Sequence, residues 1–116
     1  MRRLTGLESE YAISFRPETS RRPSNARVYN AIMRSVADAV HTVGPLGDEA
    51  DAIQEPVFVQ NGGAFNYEVA GAAFDGGLLE GATPECTSAF DVVTYQRAQG
   101  MILRDALNDA EADLRA

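Results

Sequence analysis

Val57-Phe58-Val59-Gln60, then Asn61-Gly62, then Gly63-Ala64-Phe65-Asn66-Tyr67-Glu68-Val69 is the stretch on which the fold turns. Asn-Gly between two apolar runs is the strongest short hairpin signal, because both residue types tolerate the positive φ of a type I′ turn. The second run alternates, with Ala64, Asn66 and Glu68 on one face and Phe65, Tyr67 and Val69 on the other. A lone hairpin is marginal in water, so this one requires further strands and a covering layer.

Upstream, Leu4 to Phe15 mixes Leu, Ile, Tyr and Phe with alternating polar residues and ends in the turn-like Arg16-Pro17-Glu18-Thr19-Ser20, which reads as a strand. From Ser24 on, Val28, Ile32, Val36, Ala39 and Val43 recur at helical spacing. Ser24 or Asn25 serves as N-cap and Gly44-Pro45 as the stop. Gly44 to Pro56 has the Pro, Gly and acid content of a solvated loop. Downstream, the glycine-rich stretch Gly71 to Gly77 leads into a short strand, Leu78 to Thr83, whose pairing partner the sequence leaves open. Ser88-Ala89-Phe90-Asp91 resembles a capping box and opens a helix to the C-terminus. Its buried stripe is Val92, Tyr95, Ile102, Leu103, Ala106, Ala110 and Leu114, with Arg97, Arg104, Asn108, Glu111 and Arg115 opposite. That helix stops at Ala116 without a C-cap, so the expectation is a chain cut short within one domain, 1–116. The expected fold is α+β: an antiparallel sheet with both helices on one face, leaving Glu8, Glu10, Glu68 and Glu80 on the other.

With 116 residues, of which 45% are hydrophobic and 23% charged, the chain is sized and composed as one folded domain. Ten basic against 17 acidic residues give a net charge of −7, which disfavours nucleic acid and anionic membrane as primary partners and is compatible with binding metal cations. Every basic residue is arginine, so lysine nucleophiles and a Walker P-loop are excluded within this chain. The single cysteine, Cys86, forms no internal disulfide, and no signal peptide or bilayer-spanning run is present, which makes the cytoplasm the expected compartment.

Glu8 and Glu10 stand at i and i+2, so a strand projects both carboxylates to one face roughly 6.5 to 7 Å apart. That arrangement suits hard cations such as magnesium, which takes oxygen ligands and shares them with nucleotide phosphates. A solvated strand face gives the same alternation. Glu68 on the hairpin, with Glu80 and Glu85 in Glu80-Gly81-Ala82-Thr83-Pro84-Glu85-Cys86, adds acids from segments that belong to one sheet. For Glu85, the start of a helix is the simpler explanation.

Three blocks, in order, resemble a known family. Arg3-Leu4-Thr5-Gly6-Leu7-Glu8-Ser9-Glu10-Tyr11 is similar to its opening Gly-Ile-Glu-Thr-Glu-Phe/Tyr strand, and Phe58-Val59-Gln60-Asn61-Gly62-Gly63 to its hydrophobic-x-Asn-Gly hairpin. Glu80-Gly81-Ala82-Thr83-Pro84-Glu85-Cys86 is similar to its Glu-Tyr-Ala-Thr-x-Glu-Cys block, and Tyr95-Gln96-Arg97-Ala98 to its Asp-Arg-Ala segment. The family is that of the Pup ligases and Pup deamidases (depupylases) of the bacterial proteasome pathway, relatives of glutamine synthetase and glutamate-cysteine ligase. The resemblance implies ATP and Mg2+ as cofactors, and a ubiquitin-like protein tag and protein substrates as partners. It implies an isopeptide ligase, with a deamidase on the same scaffold, ligation of a free amino acid, or a non-catalytic binding module as alternatives. Glu8, Glu10 and Glu80 match its metal ligands. Glu68 takes the place of its catalytic aspartate and Asn66 that of a metal-binding tyrosine, and both are departures. The stretch from Val69 to Leu79 is longer than the family's loop. The later strands, metal-binding histidine and C-terminal domain of the family are not found in this sequence, so a complementing chain or self-association is expected.

The remaining residues have plainer readings. His41 lies near a helix end, where the dipole favours a cationic imidazole. Cys86 reads as a structural thiol, and Arg2, Arg3, Arg21 and Arg22 as solvated. Asp105, Asp109, Glu111 and Asp113 form a wet helix face. Gly100 inside the last helix is expected to mark close packing on the sheet.

Overall fold

The computed structural model describes residues 3–18, 21–47, 55–68 and 77–115. The hairpin forms between β3 (Val57–Val59) and β4 (Ala64–Glu68), but its turn is not the expected type I′. Within the turn, Gly62 has a positive φ, at 90°, and Asn61 does not. The Val59 N–H donates to the Gly63 carbonyl at 2.8 Å and the Gly62 N–H to the Val59 carbonyl at 2.9 Å, which makes Gln60-Asn61-Gly62 a three-residue loop. Asn61 Oδ1 accepts from the Gly63 N–H at 2.8 Å and holds the turn. The core explains the choice. A two-residue turn at Asn61-Gly62 would set Val59 opposite Ala64 and move both β3 valines to the open face, because a one-residue slip inverts a strand. The longer loop instead pairs Val57 with Phe65, and Val57 and Val59 are 1% and 7% exposed.

The other strands are β1 (Glu8–Ile13), β2 (Thr42–Val43) and β5 (Gly77–Ala82), and the sheet order is β1-β5-β4-β3-β2 with every neighbour antiparallel. The strand expected near residue 78 thus takes the place between β1 and β4. The first strand is shorter than Leu4 to Phe15, though Thr5 exchanges two 2.8 Å hydrogen bonds with Cys86 and extends the contact.

Helix α1 (Asn25–Ala39) starts at Ser24, whose Oγ accepts from the Arg27 N–H at 3.1 Å. It ends before the expected Gly44-Pro45 stop: the Val40 N–H bonds back to the Val36 carbonyl and the chain extends into β2. The helical spacing through Val43 therefore misled. Val28, Ile32 and Val36 are buried, whereas Ala39 is exposed and Val43, 66% exposed, pairs with Phe58. Helix α2 (Ala89–Arg115) is capped by Ser88 Oγ, which accepts from the Asp91 N–H at 3.1 Å. Val92, Leu103, Ala106 and Ala110 are buried as the stripe requires, while Tyr95, Ile102 and Leu114 are half-buried. Gly100 does not pack closely: a Cβ there would meet nothing within 4 Å.

Both helices cover the same sheet face, where Phe65, Ile32, Met33, Leu79, Val36 and Val57 form the centre of the core. Arg34 and Asp113 join the helices at 3.6 Å. Arg115 fastens the end of α2 to the chain beyond β1, donating to the Arg16 carbonyl at 3.2 Å with its guanidinium 5.0 Å from the Phe15 ring centre. Among the described residues, no helix is long and apolar enough to cross a membrane. Arg2, the Thr19-Ser20 end of the first turn, the middle of the loop before Pro56, Val69, the glycine-rich stretch before Gly77 and the helix end at Ala116 lie outside the described residues.

Candidate functional site

Alternation and register together build the open face. Directly opposed residues of antiparallel strands share a face, so Glu10 on β1, Glu80 on β5 and Asn66 on β4 form one row across three strands. Glu8 lies in the next row on one side, opposite Ala82 and Ala64. Glu68 lies in the next row on the other, opposite Leu78 and Ala12. Cβ atoms of directly opposed residues sit about 4.5 to 5.5 Å apart and diagonal neighbours somewhat further, so Glu80 is the hub of the group. All five residues expected from the sequence are thereby brought to one face, away from the helices. Glu8 and Glu10 are exposed; Asn66, Glu68 and Glu80 are half-buried. Phe58, 48% exposed, borders the group opposite Ala64.

The hub position has an electrostatic consequence. Withdrawal from water raises the Glu80 carboxyl above its ordinary pKa, and the charges of Glu8, Glu68 and Glu10 and a hydrogen bond with Glu8 raise it further. Carboxylates held together in this way favour a shared proton or a cation. Two oxygens of the face, Asn66 Oδ1 and Glu68 Oε2, are shielded from solvent and accept no hydrogen bond. Buried acceptors of this kind normally have partners, so the pair fits a cation or a proton donor at this face, and the donor set of carboxylate and amide oxygens fits a hard cation. Among the described residues, no three His, Cys, Asp or Glu side chains converge into a ready-made metal site. A magnesium ion held at this face would complete its shell with water or phosphate oxygens, its usual manner of binding.

Gln99 is a residue that the sequence analysis did not single out. It is 4% exposed on α2, its Nε2 donates to the Ala82 carbonyl at 3.1 Å, and its Oε1 accepts from the Tyr11 hydroxyl at 3.2 Å. The available signal was its place on the buried stripe, seven residues after Val92 and four before Leu103, where a polar residue needs a partner. Cys86 is buried, with Sγ 3.2 Å from the Pro84 carbonyl. Burial, and secondarily the Asp91 charge, push its thiol pKa up, consistent with a structural role. His41 is exposed beyond the end of α1, and Arg3, Arg21, Arg22, Asp105, Asp109, Glu111 and Asp113 are exposed as expected.

The fold and the site define an α+β protein whose sheet carries its helices on one side and an open, carboxylate-lined face on the other. The family model described as Pup-ligase protein matches residues 3–116, and the chain belongs to that family. It is 32% identical over 114 residues, 98% of its length, to a Pup–protein ligase of Acidimicrobium ferrooxidans. The match covers 21% of that relative, so the chain spans about a fifth of the length of the protein it resembles. No solved structure matches the chain.

Proposed function

We propose that this chain supplies the metal-binding and proton-accepting face of a Pup ligase, an ATP- and magnesium-dependent enzyme on a glutamine synthetase-like scaffold. It joins a carboxylate of a ubiquitin-like tag to a lysine amine of a protein substrate. The observation that carries this reading is the row Glu10-Glu80-Asn66, flanked by Glu8 and Glu68, in a chain of the Pup-ligase family. Glu8, Glu10, Glu80 and Asn66 are the residues that would hold magnesium. When bound, the cation supplies neutralisation of phosphate oxygens. Glu68 stands one row away and accepts the proton of the attacking amine at Oε2, the oxygen with no hydrogen bond to compete for it. Asn66 contributes its unpartnered Oδ1 in place of a phenol.

The test is to incubate the intact protein with ATP, Mg2+, the tag and a lysine-bearing protein, and to follow masses. Ligation predicts a conjugate equal to the sum of tag and substrate less one water, formed with ATP consumption. Glu68→Gln should slow it by about 100-fold or more. Release of ammonia or of tag without a conjugate would overturn ligation in favour of hydrolysis on the same face. A small-molecule product would indicate a free amino acid as acceptor, and no reaction at all would leave a binding module.

A further inference from the structure

The β1–β5 ladder sets Glu10 opposite Glu80, and a second tie between the two strands comes from the helix side. Among the described residues, the side chain that makes this tie is that of Gln99. Gln99 is buried, and its two hydrogen bonds reach Tyr11 on β1 and Ala82 on β5. These residues lie immediately after Glu10 and two after Glu80, and Tyr11 projects to the face opposite the glutamates. Strand β5 is shaped for this side chain at Gly81. A Cβ at Gly81 would fall 2.9 Å from Gln99 Nε2 and closer still to Cδ and Oε1. Gly81 has no positive φ that would call for glycine, so the space it leaves is occupied by the Gln99 amide. The amide uses both ends, donor to one strand and acceptor from the other, which neither an apolar residue nor a shorter one reproduces.

We propose that Gln99 is a positioning residue: by tying β1 at Tyr11 to β5 at Ala82 across Gly81, it sets the spacing at which Glu10 and Glu80 share a divalent cation on the opposite face. This rests on the metal reading given above. Groups that orient metal ligands without touching the metal commonly change affinity by about 10- to 100-fold when lost. A residue that merely stabilised the fold would shift unfolding and leave the bound ion's surroundings unchanged.

Europium(III), a hard oxygen-seeking cation whose luminescence lifetimes in H2O and D2O count its coordinated waters, serves as the probe on the intact protein. Gln99→Met keeps the volume and removes both hydrogen bonds; Tyr11→Phe removes one and is the milder variant should the first fold poorly. The expected result is at least one additional bound water and an approximately tenfold weaker dissociation constant for Gln99→Met, with a smaller change for Tyr11→Phe. Leu103→Ala, which opens the core on the same helix, should lower the melting temperature without changing the water count. Folded Gln99→Met and Tyr11→Phe proteins with the wild-type water count and affinity would overturn the role of Gln99 alone. A wild-type protein that binds no europium would overturn the metal reading, and this inference with it.

Discussion

Gly81→Ala should change sign with its background. In the wild-type chain the new methyl collides with the Gln99 amide, whose nitrogen would lie 2.9 Å away. Overpacking of this kind costs about 1–3 kcal/mol. Relief by swinging Gln99 aside forfeits its bonds to Ala82 and Tyr11, each worth about 1 kcal/mol, and leaves buried groups unpaired. The expected loss is therefore about 2–4 kcal/mol, a large part of a typical ~5–15 kcal/mol stability. With Gln99→Ala the obstacle is gone, and alanine in place of glycine within a strand should stabilise by about 0.5–1 kcal/mol. The four proteins of this double-mutant cycle, compared by urea unfolding, should show a coupling of about 3 kcal/mol, near the upper end of what contacting residues give. An equal cost for Gly81→Ala in both backgrounds would refute the argument, since it would mean that something other than Gln99 fills the space over β5.

Three further outcomes follow from the same packing and charge arguments. Gly100→Ala, where a methyl meets open space on a helix, should stabilise the chain by about 1 kcal/mol in urea unfolding; destabilisation would imply a contact the fold does not contain. Deleting Gln60 leaves Asn61-Gly62 as a two-residue loop that still pairs Val57 with Phe65, so the melting temperature should change by only a few degrees. A slipped register would instead expose Val57 and Val59, at a cost of about 1.5–3 kcal/mol each. The folded chain holds the Glu80 proton more tightly than the unfolded chain does. Ionisation of Glu80 therefore weakens the fold as pH rises through its ordinary value of 4.5 and above. Glu80→Gln should accordingly melt higher than wild type at pH 7 without magnesium, and the gap should close toward pH 4; a gap independent of pH would contradict the raised pKa.

The strand periodicity of Ala64 to Glu68 and the i, i+2 pair Glu8 and Glu10 sufficed to place the acidic residues on one face, because side-chain direction in a strand has a fixed period. The order of strands was not readable, since the place of β5 between β1 and β4 depends on contacts between segments some 70 residues apart. Thr42–Val43 went unnoticed because Val43 continues the helical spacing of α1, and only pairing with β3 makes it a strand. The turn at Asn61-Gly62 was mistaken for a two-residue loop because the local signal says nothing of the burial of Val57 and Val59, which decides the register. Gln99 escaped for a related reason: a polar residue on a helix reads as solvent-facing until the backbone group it serves is known.

The central claim is that Glu8, Glu10, Glu80 and Asn66 form a cation-binding face beside Glu68, and melting temperature against magnesium concentration addresses it most directly. Ligand at 100 times its dissociation constant stabilises a fold by about 2.7 kcal/mol, so saturating Mg2+ should raise the wild-type melting temperature by several degrees. Glu8→Gln and Glu10→Gln should lose most of that rise, whereas Glu111→Gln, on the exposed face of α2, should retain it. Equal responses to magnesium in all three variants would contradict the account and reduce the acidic row to a solvated strand surface.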